Sequence, residues 1–362
     1  MDPPANTPHS APQAGTRSLP PTKFPTNNSQ VEQEWKLLGE LECVDNVARM
    51  LEHEVLKFRG VQVDGSAETH LSFIKGAHEI DIWNHVRAIV TPFGKPIYYF
   101  RNKRELLQAF VNIVKAYRDL CEYKLMMHND ISLRHILLVD SYDSVPEYYC
   151  PGLLIDFDVT MKNSDAATIL PKDLCTGTVP FMAIRTLLGT ATNDATHDLE
   201  SFFYVFCWIC IIREGCDYYR KDFKFEDSCL EMWTGRPSDS HEDIGYRKLG
   251  IVPDADFVES SILNEFHPCF HCLRTCAMGL WGILFSSFSD SKPNLHEDII
   301  TAFQETLDGL PVGCRYGDDA LRLASDERNG EIDTFDKQLY QARNPARAGT
   351  DDRSEEESNS HA

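Results

Sequence analysis

Two carboxylates set the terms for any chemistry in this 362-residue chain. Asp130 stands in His128-Asn129-Asp130-Ile131-Ser132-Leu133-Arg134-His135, and Asp156 ends an apolar run in Leu153-Leu154-Ile155-Asp156-Phe157-Asp158. Carboxylates in such settings exchange protons with hydroxyl groups or hold hard divalent cations through oxygen. Each also has a plainer reading on its own: Asp130 as a loop cap, Asp156 as the end of an ordinary strand. A Gly-Thr pair, Gly177-Thr178, and a carboxylate at a helix start, Asp198 after His197, follow downstream. At a helix start a carboxylate caps free N–H groups and complements the helix dipole.

The elements that must position these groups follow from periodicity. Residues 34–58 read as a helix and then a strand, and residues 86–100, VRAIVTPFGKPIYYF, as two short strands around a Gly-Lys-Pro break. From Lys103 to Cys121 the apolar residues Leu106, Phe110, Ile113, Val114, Tyr117, Leu120 and Cys121 recur mostly at three- and four-residue steps, which predicts a long helix leading into the His128 loop. Further helices are predicted over 197–212, apolar on all sides and therefore deep in the core, over 266–286 and over 295–309. Strands early and helices late point to an α+β protein of two unequal lobes.

Composition narrows the class. Apolar residues at 42% and charged residues at 25% describe an ordinary globular chain able to bury a large core. A formal net charge of −21 opposes nucleic acid and anionic lipid, so neither is expected as a partner. The longest apolar run, Phe202 to Ile212, falls well short of the roughly 20 residues a spanning helix needs. Residues 1–30 are Pro-, Ser- and Asn-rich, read as a disordered leader without a secretory signal, and residues 313–362 read as an acidic, mostly disordered tail with one short helix around 333–343. An intracellular protein, cytoplasmic or nuclear, is expected.

Twelve cysteines in such a chain are expected as reduced, buried thiols. Cys269, Cys272 and Cys276, with His267 or His271, have the spacing of a metal site, as Cys207 and Cys210 do in part. The same spacing places three small apolar residues on one helical face, and core packing is the expectation adopted.

The segment from about Val86 to Ile212 resembles the fungal-type protein kinases. In that family the metal motif commonly reads D-F-D where other kinases have D-F-G. HNDIS, LLIDFDVT, GTVPFMAIRTLL and HDLESFFYVFCWIC occur here in the family's order and with roughly its spacing. The resemblance implies a protein-kinase-like domain over 31–312, with a reduced N-lobe over 31–100 and a mostly helical C-lobe over 101–312. It places Asp130 as the base that accepts the substrate hydroxyl proton and Asp156 as the Mg²⁺ ligand. His135 falls on a degenerate metal position, Gly177 and Thr178 fall in the activation segment, and His128, Phe157 and Asp198 fall in supporting positions. ATP and Mg²⁺ are the implied cofactors if the chain is active, and none otherwise; the implied partner is a protein substrate or binding partner.

The departures from that pattern are consistent with one another. His135 puts an imidazole where H-R-D-x-x-x-x-N has a carboxamide, and nitrogen suits Zn²⁺ or Cu²⁺ better than Mg²⁺. Asn129 replaces the Arg that pairs with activation-loop phosphate in many kinases. Arg185 reverses the charge of the Glu in A-P-E; if that Glu's usual Arg partner survives, two cations would face each other and the segment's anchor would loosen. No G-x-G-x-x-G precedes the helix at Glu34, and Lys23 in PTKFPTNN is a poor match for the strand Lys that would pair with Glu34, Glu40 or Glu42. A short N-lobe of this kind arises natively or from a coding start read too late. The expectation is a catalytically impaired kinase relative acting by protein binding. The alternative is an active Ser/Thr kinase, and a minor alternative, a small-molecule phosphotransferase, fits GTVPFMA poorly.

Overall fold

The computed structural model describes residues 37–41, 43–55, 57–58, 61–62, 86–139, 152–162, 177–190, 194–215, 219–285 and 294–311. The leader, the tail with its expected helix, Lys23, Glu34 and Glu42 lie outside them. Helices and strands are mixed among the described residues, and no helix is long and apolar enough to cross a membrane. Two compact units separate: described residues up to 41 together with 48–93, and residues 43–47 together with those from 94 onward.

In the first unit a helical turn over 37–40 buries Leu37 and Leu38. Strand β1 (Arg49–Val55) follows, then the short antiparallel pair β2 (Lys57–Phe58) and β3 (Val61–Gln62). Strand β4 (Val86–Thr91) runs antiparallel to β1, from Val55 opposite Val86 to Arg49 opposite Thr91. The strands predicted over 86–100 exist, but they are not each other's partners. Strand β5 (Lys95–Pro96) belongs to the second unit, and a 3₁₀ turn at Ile97–Tyr99 follows it directly. Residue pattern specifies extended backbone without saying what it pairs with.

The second unit is built on helix α1 (Lys103–Tyr123). Asn102 caps it by accepting the Glu105 N–H at 2.9 Å. Leu106, Phe110, Ile113, Val114, Tyr117 and Leu120 are buried, and so are Leu107 and Val111, so the inward face is wider than the predicted stripe. Phe110 stacks on Phe303 at 4.9 Å between ring centroids and meets Phe206 edge-on at 5.3 Å. Those partners come from helix α8 (Leu295–Gly309) and helix α3 (Thr196–Ile212). Every residue of α3 from Phe202 to Ile212 is buried, as expected of a helix apolar on all sides.

Four short strands carry the polar loops. Strand β6 (Met126–Met127) pairs with β9 (Met161–Lys162), and β7 (Ile136–Leu138) lies between β5 and β8 (Gly152–Leu154), all antiparallel. Gly152 lets β8 lie against α1, since a Cβ there would come 2.5 Å from Ile113 Cγ2 and 2.6 Å from the Ala109 carbonyl oxygen. The remaining helices are α2 (Ile184–Leu187), α4 (Cys229–Thr234), α5 (His241–Ile251), α6 (Ala255–Ser261) and α7 (Arg274–Phe285).

The helix predicted over 266–286 is two elements. A 3₁₀ segment, Pro268–Leu273, precedes α7, with Pro268 at its first position and the His267 ring accepting the Cys269 N–H at 3.4 Å. At three residues per turn, Phe270 and Leu273 share the buried edge while Cys272 is exposed and Cys269 half-buried. The expectation that Cys269, Cys272 and Cys276 pack inward together therefore holds only for Cys276. No cluster of three or more metal-ligating side chains occurs among the described residues.

Candidate active site

The loop over 128–135 runs from β6 to β7, and Asp156 follows β8, so pairing of β7 with β8 brings the two carboxylates to one end of the sheet. Two backbone positions are left-handed: Asn129 at φ +62° and Asp156 at φ +67°. Asn and Asp visit that region more readily than other non-glycine residues. Asn129 also ties the loop to the stretch beyond Asp156, because its Nδ2 donates to the Val159 carbonyl oxygen at 3.2 Å.

Beneath the loop, Asp198 Oδ2 accepts the backbone N–H groups of His128 at 2.8 Å and Asn129 at 3.0 Å. This carboxylate is buried in the first turn of α3, where the helix dipole favours its charge. The fully buried His128 ring contacts the Ile155 carbonyl oxygen through Nε2 at 3.0 Å, accepts the Asp130 N–H at Nδ1 and packs 4.9 Å from the Phe157 ring centroid. Burial holds its pKa below the ordinary histidine value, with the nearby Asp198 charge acting against it.

Asp130 is engaged on both oxygens. Oδ1 accepts the Thr178 N–H and the Thr178 hydroxyl, each at 2.7 Å. Gly177 makes this approach possible: its φ is +121°, and a Cβ there would lie 2.8 Å from the Asn129 carbonyl oxygen. Oδ2 faces His135 Nδ1 at 3.4 Å, and that nitrogen also lies 2.8 Å from the Asp130 carbonyl oxygen. The far side of the same ring reaches the second carboxylate, with Nε2 at 3.0 Å from Asp156 Oδ2.

His135 thus lies between the two carboxylates. Burial alone would depress its pKa, but the hydrogen bond to Asp156 and the charges of Asp130 and Asp156 outweigh that and raise it to about 9. Asp156 shifts the opposite way: burial would raise its pKa, and the hydrogen bond and charge of His135 bring it below the ordinary carboxylate value. At neutral pH the arrangement is an imidazolium bridging two carboxylates. A hard Mg²⁺ ion needs oxygen ligands in near-octahedral order. The donor set here offers Asp156 already engaged by a cationic nitrogen, and does not fit it.

The family model for fungal protein kinases matches residues 22–210, more than half of the chain. The chain belongs to the fungal protein kinase family. Among curated proteins none matches it. The match ends within α3, so α4 to α8 lie beyond the matched residues.

Of the eight site residues chosen from sequence, His128, Asp130, His135, Asp156, Phe157, Thr178 and Asp198 are linked by these contacts, and Gly177 precedes Thr178 in the chain. Arg185 stands apart from them. It points to solvent from α2, and the segment is held by residues that sequence reasoning missed. Lys248 of α5 is buried and donates to the carbonyl oxygens of Pro180 at 2.8 Å and Met182 at 2.7 Å, with its ammonium 3.8 Å from the Tyr204 ring centroid. Glu200 accepts the Ile184 N–H and the Tyr204 hydroxyl, each at 2.9 Å, and burial raises its pKa against those bonds and the nearby Lys248 charge. Glu200 carried a faint signal, a carboxylate inside an otherwise apolar helix; Lys248 carried none.

Proposed function

We propose that this member of the fungal protein kinase family keeps a two-lobed, protein-kinase-like plan with a reduced N-lobe, and that its phosphoryl-transfer centre is closed by His135. The observation that carries this reading is the position of the imidazole ring, 3.0 Å from Asp156 and 3.4 Å from Asp130. A cation from the chain itself then answers both carboxylates, and an incoming divalent ion must displace it. Electrostatic clamps on phosphate contribute several kcal/mol to catalysis, roughly 3–4 for a single donor in well-studied sites. Losing Asp156 as a free ligand is a loss on that scale.

What remains is a binding module. Lys248 and Glu200 hold the activation-segment end while the Arg185 side chain is exposed, and this supports a platform that persists when transfer is lost. In this reading the chain engages a protein partner through its helical region and segment 177–187.

Purified protein titrated with Mg²⁺-ATP in a thermal-unfolding assay should show little or no rise in melting temperature. A rise of several degrees that disappears in Asp156→Ala would overturn the proposal. One observation favours a second reading, an active Ser/Thr kinase with Asp130 as base: the Thr178 bonds hold Asp130 in an ordered loop. Transfer of label from ATP to Ser/Thr peptides, lost in Asp130→Asn, would establish it instead.

A further inference from the structure

The Cys-x-x-Cys sequence at 269–272 has no part in the site above, and the fold treats it differently from the Cys-x-x-Cys sequence at 207–210. Cys207, Cys210 and Cys229 are fully buried, and burial pushes each thiol well above its ordinary pKa, which suppresses the reactive thiolate. Cys272 is exposed and Cys269 half-buried. In a 3₁₀ segment residues three apart eclipse one another, so Cys269 and Cys272 stand one above the other on the edge next to the buried Phe270 and Leu273. Cys272 Sγ leans back over residue 269, 4.0 Å from its carbonyl oxygen. Side chains three apart on a helix hold their Cβ atoms about 5–6 Å apart, and a disulfide needs about 3.5–4.5 Å, so a small closure joins them.

A base is in place beside one of the two sulfurs. His267 Nδ1 lies 3.1 Å from Cys269 Sγ and also accepts the Cys269 backbone N–H. An acceptor at Nδ1 is the tautomer with its proton on Nε2. Burial, and then the charge of Arg220, holds this imidazole below the ordinary histidine value, so the ring is neutral near pH 7 and its lone pair faces the thiol.

We propose that Cys269 and Cys272 form a redox-active dithiol that exchanges with small-molecule disulfides, with Cys269 as the attacking sulfur. Cys269 passes its proton to His267 Nδ1, and its sulfur attacks one sulfur of a disulfide RSSR. The S–S bond breaks, Cys269 forms a mixed disulfide with R, and RS⁻ leaves. Cys272 then attacks the Cys269 sulfur, the mixed disulfide breaks, and a second RS⁻ leaves as the Cys269–Cys272 bond forms. The two thiol protons end on the two RS⁻ groups: RSSR is reduced to two RSH while two protein thiols are oxidised to one disulfide.

The test uses the full chain and glutathione disulfide, with alkylation of remaining thiols and mass mapping. In wild-type protein the peptide holding residues 269 and 272 should lose two hydrogens and carry an internal disulfide, while exposed Cys43 forms only a mixed disulfide. Cys272→Ser should trap glutathione on Cys269. His267→Asn keeps a capping oxygen but removes the base, and should slow capture at Cys269 roughly tenfold without changing the stoichiometric binding of phenylarsine oxide, a dithiol probe. The proposal is overturned if Cys269 and Cys272 stay fully alkylatable, if both keep separate glutathione adducts without closing, or if the linkage maps to Cys207 and Cys210. Arsenical binding to wild type that persists unchanged after the oxidation would equally sink it.

Discussion

The loop over 128–135 departs from the kinase pattern at Asn129 and His135 and the segment over 177–187 departs from it at Arg185, and the structure handles His135 and Arg185 in opposite ways. At the loop the substituted residue takes over the site: His135 bridges Asp130 and Asp156. At the segment the substituted residue withdraws: Arg185 faces solvent, and Lys248 supplies an anchor from α5, 68 residues from Pro180 and 66 from Met182. In both places buried side chains bond the backbone: Asp198 at the loop, and Lys248 and Glu200 at the segment. What differs is whether the new side chain sits where a ligand would have to bind. That contrast separates support of the fold, kept in both regions, from the access of a ligand to Asp130 and Asp156, which His135 alters at the loop.

The largest effect is expected from removing the buried carboxylate that braces the loop. Asp198→Ala leaves the N–H groups of His128 and Asn129 unpaired in a buried site and should destabilise the protein by about 3 kcal/mol, because bonds to a charged acceptor contribute about 1.5–3 kcal/mol each. Chemical denaturation checks it, and a loss below about 1 kcal/mol would mean the loop is not braced from α3. Lys248→Met should follow at about 2 kcal/mol, since two buried carbonyl oxygens lose their donor. Limited proteolysis near 177–190 should increase in step, and unchanged cleavage would break the segment half of the comparison.

The loop half is tested by pH. The folded-state pKa of His135 is raised to about 9 from 6.5, so the stability it contributes is fully present below 6.5 and is lost as pH rises through about 9. After discounting for the partly exposed Asp156 partner, the loss should be on the order of 1–2 kcal/mol. Unfolding measured from pH 6 to 10 should show this decline in wild type and a flatter profile in His135→Asn; parallel profiles would remove the imidazolium from the account. The smallest effect belongs to Arg185→Glu, which should change stability by less than about 0.5 kcal/mol because the side chain is exposed. A gain of more than about 1 kcal/mol would show instead that a carboxylate there finds a cationic partner.

Much of this was legible because the informative residues are close together in the chain. Helix α1, the apolar helix α3 and α8 follow from periodicity and fall within a residue or two of their expected bounds. Strands β4 and β5 were legible as extended segments, but their partners β1 and β7 were not, because extended pattern does not name a partner strand. The 266–286 segment was misread because positions 269, 272 and 276 fit one face at 3.6 residues per turn, whereas the first turns are 3₁₀.

The sequence by itself determined ancestry: short contiguous motifs carry the family's order and spacing, and local pattern specifies most of the helices. Only the tertiary structure decided which cation answers the paired carboxylates, which lysine holds the segment, and which cysteines reach the surface. The physical reason is the same in each case. Charge pairing and burial depend on atoms that packing brings within a few ångströms from distant parts of the chain, and neither residue type nor spacing encodes that proximity.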